Sequence, residues 1–129
     1  MDTRAKILSV EPALEAARRV KQEGRKLTVV TGYFDVLLAA QVRHLEAVRM
    51  GTGSGCLMVV LLPRPEGLLP QSARAELVAG LDMVDYVVID GEDGTLLHRL
   101  PADEVVSRQV ADEEQTRILM EHVLGRQNR

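Results

Sequence analysis

Hydrophobic positions along this chain alternate between two periods. From Glu11 to Glu23, Leu14, Ala17 and Val20 recur at helical spacing, and Gly24 stands where a C-terminal stop belongs. Leu27-Thr28-Val29-Val30-Thr31 is a short β-branched run that reads as a strand. Helical spacing returns from Ala39 to Met50 through Val42, Leu45 and Val48, with Gly51 to close it. Cys56-Leu57-Met58-Val59-Val60-Leu61-Leu62 is apolar without interruption, as in a strand buried on both faces, and Pro63 ends it. Ala73 to Leu81 predicts a short helix and Val84 to Ile89 a third strand. Glu104-Val105-Val106 predicts a weak fourth strand, and Asp112 to Leu124 a final amphipathic helix. Strands that alternate with helices predict an α/β fold built on a parallel sheet with right-handed crossovers.

Composition narrows the functional classes. At 129 residues the chain predicts a single domain, 1–129, since domains cluster near roughly 100–150 residues. With 46% hydrophobic residues it can build a true core. There is no Trp, and Tyr33, Phe34 and Tyr86 are its aromatics, which argues against a stacking platform for single-stranded nucleic acid. A net charge of −3 lacks the basic footprint that phosphate backbones select. No nucleic-acid partner is expected. The longest apolar run is far short of the ~20 residues that cross a bilayer, so no membrane partner is expected either. Met1 to Lys6 leads into no signal-like apolar stretch, and the cytoplasm is the expected compartment. The lone Cys56 has no partner for an internal disulfide, and its apolar neighbours predict a buried, inert thiol.

Several familiar chemistries do not assemble. Gly51-Thr52-Gly53-Ser54-Gly55 lies between a helix and a strand, whereas the dinucleotide fingerprint follows a strand and opens a helix, so it reads as a flexible turn. His44, His98 and His122 lack zinc-ligand spacing, with His44 and His122 expected at partly exposed helix positions. Asp90, Glu92 and Asp93 miss the calcium-loop pattern and read as a solvated turn. No metal site is expected.

The junction after the first long strand remains. It runs from Val30-Thr31-Gly32-Tyr33-Phe34-Asp35 into Leu37-Leu38-Ala39-Ala40-Gln41-Val42-Arg43-His44. Ligands of open parallel sheets bind beyond the carboxyl ends of strands. Gly32 lacks the Cβ that keeps an anion from the backbone, and a helix starting near Ala39 points free N–H groups and its positive end into the same crevice.

This stretch resembles the signature of the cytidylyltransferase-like nucleotidylyltransferases, roughly T-x-G-x-F-D-x-x-H-x-G-H. The similarity is strongest to the nucleotidyltransferase domain of bacterial ADP-heptose synthases. Gly32, Phe34 and Asp35 match the first half, and Val42, Arg43, Leu45, Glu46 and Arg49 continue as that family's first helix does. Arg74-Ala75-Glu76-Leu77 and Val84-Asp85-Tyr86-Val87-Val88 resemble its second helix and following strand. The resemblance implies a Rossmann-like three-layer α/β/α fold with four or five parallel strands. It also implies a bound nucleotide, ATP or CTP with Mg2+, and a homodimer. Its nucleotide-binding candidates are Gly32, Tyr33, Phe34, Asp35, Gln41, Arg74, Thr116 and Arg117.

The departures fall on the chemistry. Members of this family join an NTP to a phosphorylated sugar or alcohol and release pyrophosphate, and their two motif histidines donate to the phosphates. Here those positions hold Leu38 and Gln41, and the glycine between them is Ala40. Leu38 offers no donor, and Gln41 offers only a neutral amide. Positioning and charge stabilisation supply nearly all the catalysis in such transfers, and one lost donor costs about 10²–10³ in rate. The loop Pro63-Arg64-Pro65-Glu66-Gly67 carries a single Arg where relatives carry a longer basic segment. Glu114-Gln115-Thr116-Arg117 keeps Thr116 and Arg117, but Glu114 repels a triphosphate.

Plainer roles stand beside each of these. Gly32 also suits a tight turn, Phe34 a place in the core and Asp35 a cap, while Arg74 can pair with Glu76 or Asp85. Three functions follow. One is a catalytically impaired relative that still binds nucleotide. The second is an active nucleotidylyltransferase that uses Arg43, Arg74 or Arg117 as donors. The third is an interaction or oligomerisation module whose apolar Leu37-Leu38-Ala39-Ala40 rim a partner covers.

Overall fold

A computed structural model describes residues 3–34, 39–62, 70–89 and 96–107. A 3-10 turn at Thr3–Lys6 leads into β1 (Ile7–Leu8) and α1 (Val10–Gln22), followed by β2 (Leu27–Gly32) and α2 (Ala39–Thr52). Next come β3 (Cys56–Leu61), α3 (Gln71–Ala79), β4 (Tyr86–Ile89), α4 (Leu96–Arg99) and β5 (Glu104–Ser107). All five strands pair in parallel, in the order β1-β4-β3-β2-β5. This is the expected three-layer α/β/α architecture.

The uninterrupted apolar run of β3 has a direct physical basis. Met58 and Val60 join Leu14, Ala17 and Val20 of α1 and Leu96 of α4 on one face of the sheet. Leu57, Val59 and Leu61 join Leu45 of α2 and Ala75 and Val78 of α3 on the other. Every residue of β2 and β3 is buried. Each buried Val, Leu or Met side chain among them contributes about 1.5–3 kcal/mol by leaving water. Cys56 is buried as expected, and burial, with Asp85 nearby, pushes its thiol up to about 12.

Four boundaries differ from expectation by two residues, the others among the described residues by one at most. The helix expected at Ala73 starts at Gln71 and ends at Ala79. Gly51 does not close α2, which runs on to Thr52; Gly53 instead supplies the left-handed residue, at φ 61°. β4 starts at Tyr86 rather than Val84, because the Asp85 side chain takes over a backbone role. Its Oδ2 accepts the Leu57 N–H at 2.8 Å, its own N–H donates to the Leu57 carbonyl at 3.0 Å, and Arg49 lies 2.6 Å away. The start of β5 repeats the device. Asp103 Oδ2 accepts the Leu27 N–H at 2.7 Å, its N–H donates to the Leu27 carbonyl at 2.8 Å, and Lys21 donates to its carboxylate. The final helix expected at 112–124, the loop at 63–67, His122 and the acidic group at 90–93 lie outside the described residues.

Candidate functional site

The order of strands places the site. From β2 the chain moves to β3 and then β4 on one side, and returns to lay β5 against the other flank of β2. The connections therefore diverge at the carboxyl end of β2, the switch point where open α/β sheets bind ligands. Both α2 and α3 begin at this end of the sheet, and neither carries an acid in its first turn. Two helix N-termini thus point their positive ends at the crevice, with no acid in either first turn to offset them.

Gly32, Tyr33, Phe34 and Arg74 are brought together here. Gly32 ends β2, lies opposite Leu61, and accepts the Leu62 N–H through its carbonyl at 3.0 Å. The left-handed turn belongs to Phe34, at φ 49°. A phenylalanine in that region carries strain, and its side chain, 1% exposed, is held in the core beside α2 and α3. Tyr33 is half-buried. Arg74 is 1% exposed, and its Nη1 donates to the carbonyls of Tyr33 at 2.5 Å and Leu62 at 3.4 Å. The pairing of Arg74 with Glu76 or Asp85 is corrected on this point: Glu76 is exposed, and Asp85 is taken by Arg49 at the other end of the sheet.

Gln41 sits in the first turn of α2 and is 1% exposed, so the position of the family's second histidine points into protein rather than solvent. Asp35, Leu38, Thr116 and Arg117 lie outside the described residues. His44 is partly buried, as expected.

Sequence reasoning passed over Thr31, Ser107 and Gln71. Thr31 Oγ1, on β2, stands 3.5 Å from Ser107 Oγ on β5, which puts two hydroxyls at the switch point. A threonine within an apolar run was the available signal. Gln71 opens α3, and its Nε2 is buried without a hydrogen-bond partner among the described residues. Such a donor is available to a ligand. Among the described residues no three His, Cys, Asp or Glu side chains are grouped to hold a metal ion.

A cavity of about 500 Å³ lies at the opposite, amino end of the strands, lined by Lys6, Arg25, Cys56, Asp82, Asp85 and Tyr86. Most of its polar groups are already employed. Lys6 donates to the Leu81 carbonyl at 3.1 Å, and Arg25 donates to the carbonyls of Ser54 and Gly55 at 3.1 and 3.2 Å. The carboxyl end is therefore the stronger site. No helix among the described residues is long and apolar enough to cross a membrane.

No family model matches the chain. It is similar to bifunctional HldE proteins from Citrifermentans bemidjiense (30% identical over 74% of the chain) and Geobacter sulfurreducens (31% over 74%). The HldE protein of Acidiphilium cryptum is 34% identical over 70%. The matched segment spans only about a fifth of the length of these relatives: 21%, 20% and 20%. In fold it is similar to the lipopolysaccharide core biosynthesis protein of Thermoplasma volcanium, with a TM-score of 0.55 and 19% identity over 62% of this chain and 71% of that one. The motif likeness around Gly32 and Arg74, the parallel sheet with its switch point at β2, and this homology converge, and the chain belongs to the nucleotidylyltransferase superfamily.

Proposed function

We propose that this domain binds a nucleotide at the carboxyl end of β2 and has lost most of the superfamily's transfer chemistry. The observation that carries the reading is the replacement of both motif histidines by Leu38 and Gln41, with Gln41 buried. A phosphate that gains charge during in-line attack then meets no imidazole at either motif position, and two such losses lower the rate by about 10⁴-fold. What supports continued binding is the pair of acid-free helix starts, the Gly32–Phe34 turn at the switch point and the buried amide of Gln71. A cytoplasmic setting suits a nucleotide binder whose lone cysteine is a buried thiol.

Calorimetric titration with ATP and CTP in the presence of Mg2+ tests binding. Measurable heat and a rise in melting temperature are expected. No heat and no thermal shift at millimolar nucleotide would remove the reading and leave an interaction module. Where binding is seen, pyrophosphate release with heptose 1-phosphate or glycerol 3-phosphate is expected at background rate. Turnover that Gln41→Ala abolishes would instead establish an active transferase. A rate recovered by Leu38→His together with Gln41→His marks decay from an active ancestor.

A further inference from the structure

We infer that Arg74 is a positioning residue, which shapes the nucleotide crevice from beneath instead of gripping a phosphate. This rests on the nucleotide reading above. At 1% exposure the guanidinium is closed off from bulk solvent, so a ligand entering the crevice meets other groups first. Both N–H groups of Nη1 point at carbonyls just beyond the ends of two adjacent strands, Tyr33 after β2 and Leu62 after β3. Leu62 closes the same junction from the other side, because its N–H donates to Gly32.

The residue after the anchored Tyr33 carbonyl is Phe34, in the left-handed conformation. A strained backbone persists only where its surroundings over-determine it. Arg74 fixes the carbonyl before Phe34, and the packing of Phe34 against α2 and α3 fixes its side chain. Because α3 carries Arg74 in its first turn, the same residue ties the start of that helix to the floor of the crevice. Arginine suits this task through its fixed fork of donors, which a lysine lacks.

The test compares the whole chain with Arg74→Met and Arg74→Lys by amide hydrogen exchange and by ATP and CTP titration at several salt concentrations. Arg74→Met is expected to speed exchange of the Leu62 amide by about ten-fold or more while the Leu57 amide, at the other end of β3, keeps its rate. Nucleotide affinity is expected to fall by about ten-fold with its salt dependence unchanged, since no phosphate contact is lost. Arg74→Lys is expected to recover part of both losses. Unchanged Leu62 exchange overturns the inference, and so does an affinity loss that flattens the salt dependence, the sign of a direct phosphate contact. If Arg74→Met does not fold, Arg74→Lys decides by the same readouts. If the unaltered chain binds neither nucleotide, the nucleotide reading fails, and Leu62 exchange still decides whether Arg74 clasps the strand ends.

Discussion

The two ends of the sheet are secured in opposite ways. At the amino end, Asp85 and Asp103 each exchange two hydrogen bonds with one residue of the neighbouring strand, Leu57 and Leu27, and each has a cation beside it. These are short, repeated devices supplied by the residue that precedes each strand. At the carboxyl end no such staple is seen among the described residues. There one guanidinium from α3 holds the carbonyls just beyond the ends of two strands, and Phe34 sits in a conformation its side chain disfavours. The amino end satisfies its backbone and remains at rest. The carboxyl end depends on distant groups and stores strain, which is how sites that receive ligands differ from ends that only hold a fold together.

The largest effect that tests this contrast lies at Phe34. Phe34→Ala is expected to lose about 3–5 kcal/mol, because it empties a fully buried site. Phe34→Gly removes the same bulk but also relieves the left-handed backbone, which costs a non-glycine residue roughly 1–2 kcal/mol. The glycine variant is therefore expected to be the more stable of the two, by urea unfolding, which inverts the usual order. An alanine variant more stable than the glycine variant would show that the carboxyl end carries no strain.

Gly55 provides the next largest effect, at the amino end. A Cβ there would run into the backbone carbonyl of Lys26, the same carbonyl that accepts the Cys56 N–H at 2.8 Å. Gly55→Ala must push apart the starts of β2 and β3, at about 1–3 kcal/mol. Asp85→Ala comes close behind. It removes the acceptor of the Leu57 N–H, a loss of about 1–3 kcal/mol, whereas the half-exposed ion pair with Arg49 contributes little. If Arg49→Met destabilises the protein as much as Asp85→Ala does, the ion pair and not the backbone staple holds this end.

Much of this frame was legible in the sequence. Strands β2 and β3 announce themselves because helices cover both of their faces, so nothing polar interrupts β3 and only threonines enter β2. Helix α1 stops at Gly24 as expected. The elements that escaped, β1 with two residues and α4 with four, are too short to show any period. The site was legible as a location but less so as an arrangement. The junction after β2 stood out for its glycine and its family resemblance, yet nothing local marks Phe34 for a left-handed turn. Arg74 looked toward nearby acids, Glu76 and Asp85, because sequence shows charges more readily than backbone carbonyls. The carbonyls it meets, at residues 33 and 62, become neighbours only once β2 and β3 pair.

Asp103 gives the smallest effect and the sharpest check on the amino-end device. The Leu27 N–H, followed by Lys21 and the nearby charges of Lys21 and Lys26, lowers its pKa from the ordinary value of 3.8. A carboxylate whose folded pKa is depressed stabilises the protein above its unfolded value, and that contribution disappears as pH falls through the folded one. The urea midpoint is therefore expected to decline as pH drops below about 4, and part of that decline should vanish in Asp103→Asn, which keeps an acceptor for Leu27 but no charge. Near neutral pH the variant should lie slightly below the unaltered chain, and the two should converge in acid. Because the carboxylate is exposed to water, the gap is expected to be smaller than that of Asp85→Ala and to shrink with added salt. A gap that stays constant from neutral pH to strong acid would mean that the Leu27 bond alone, and not the charge, ties β5 to β2.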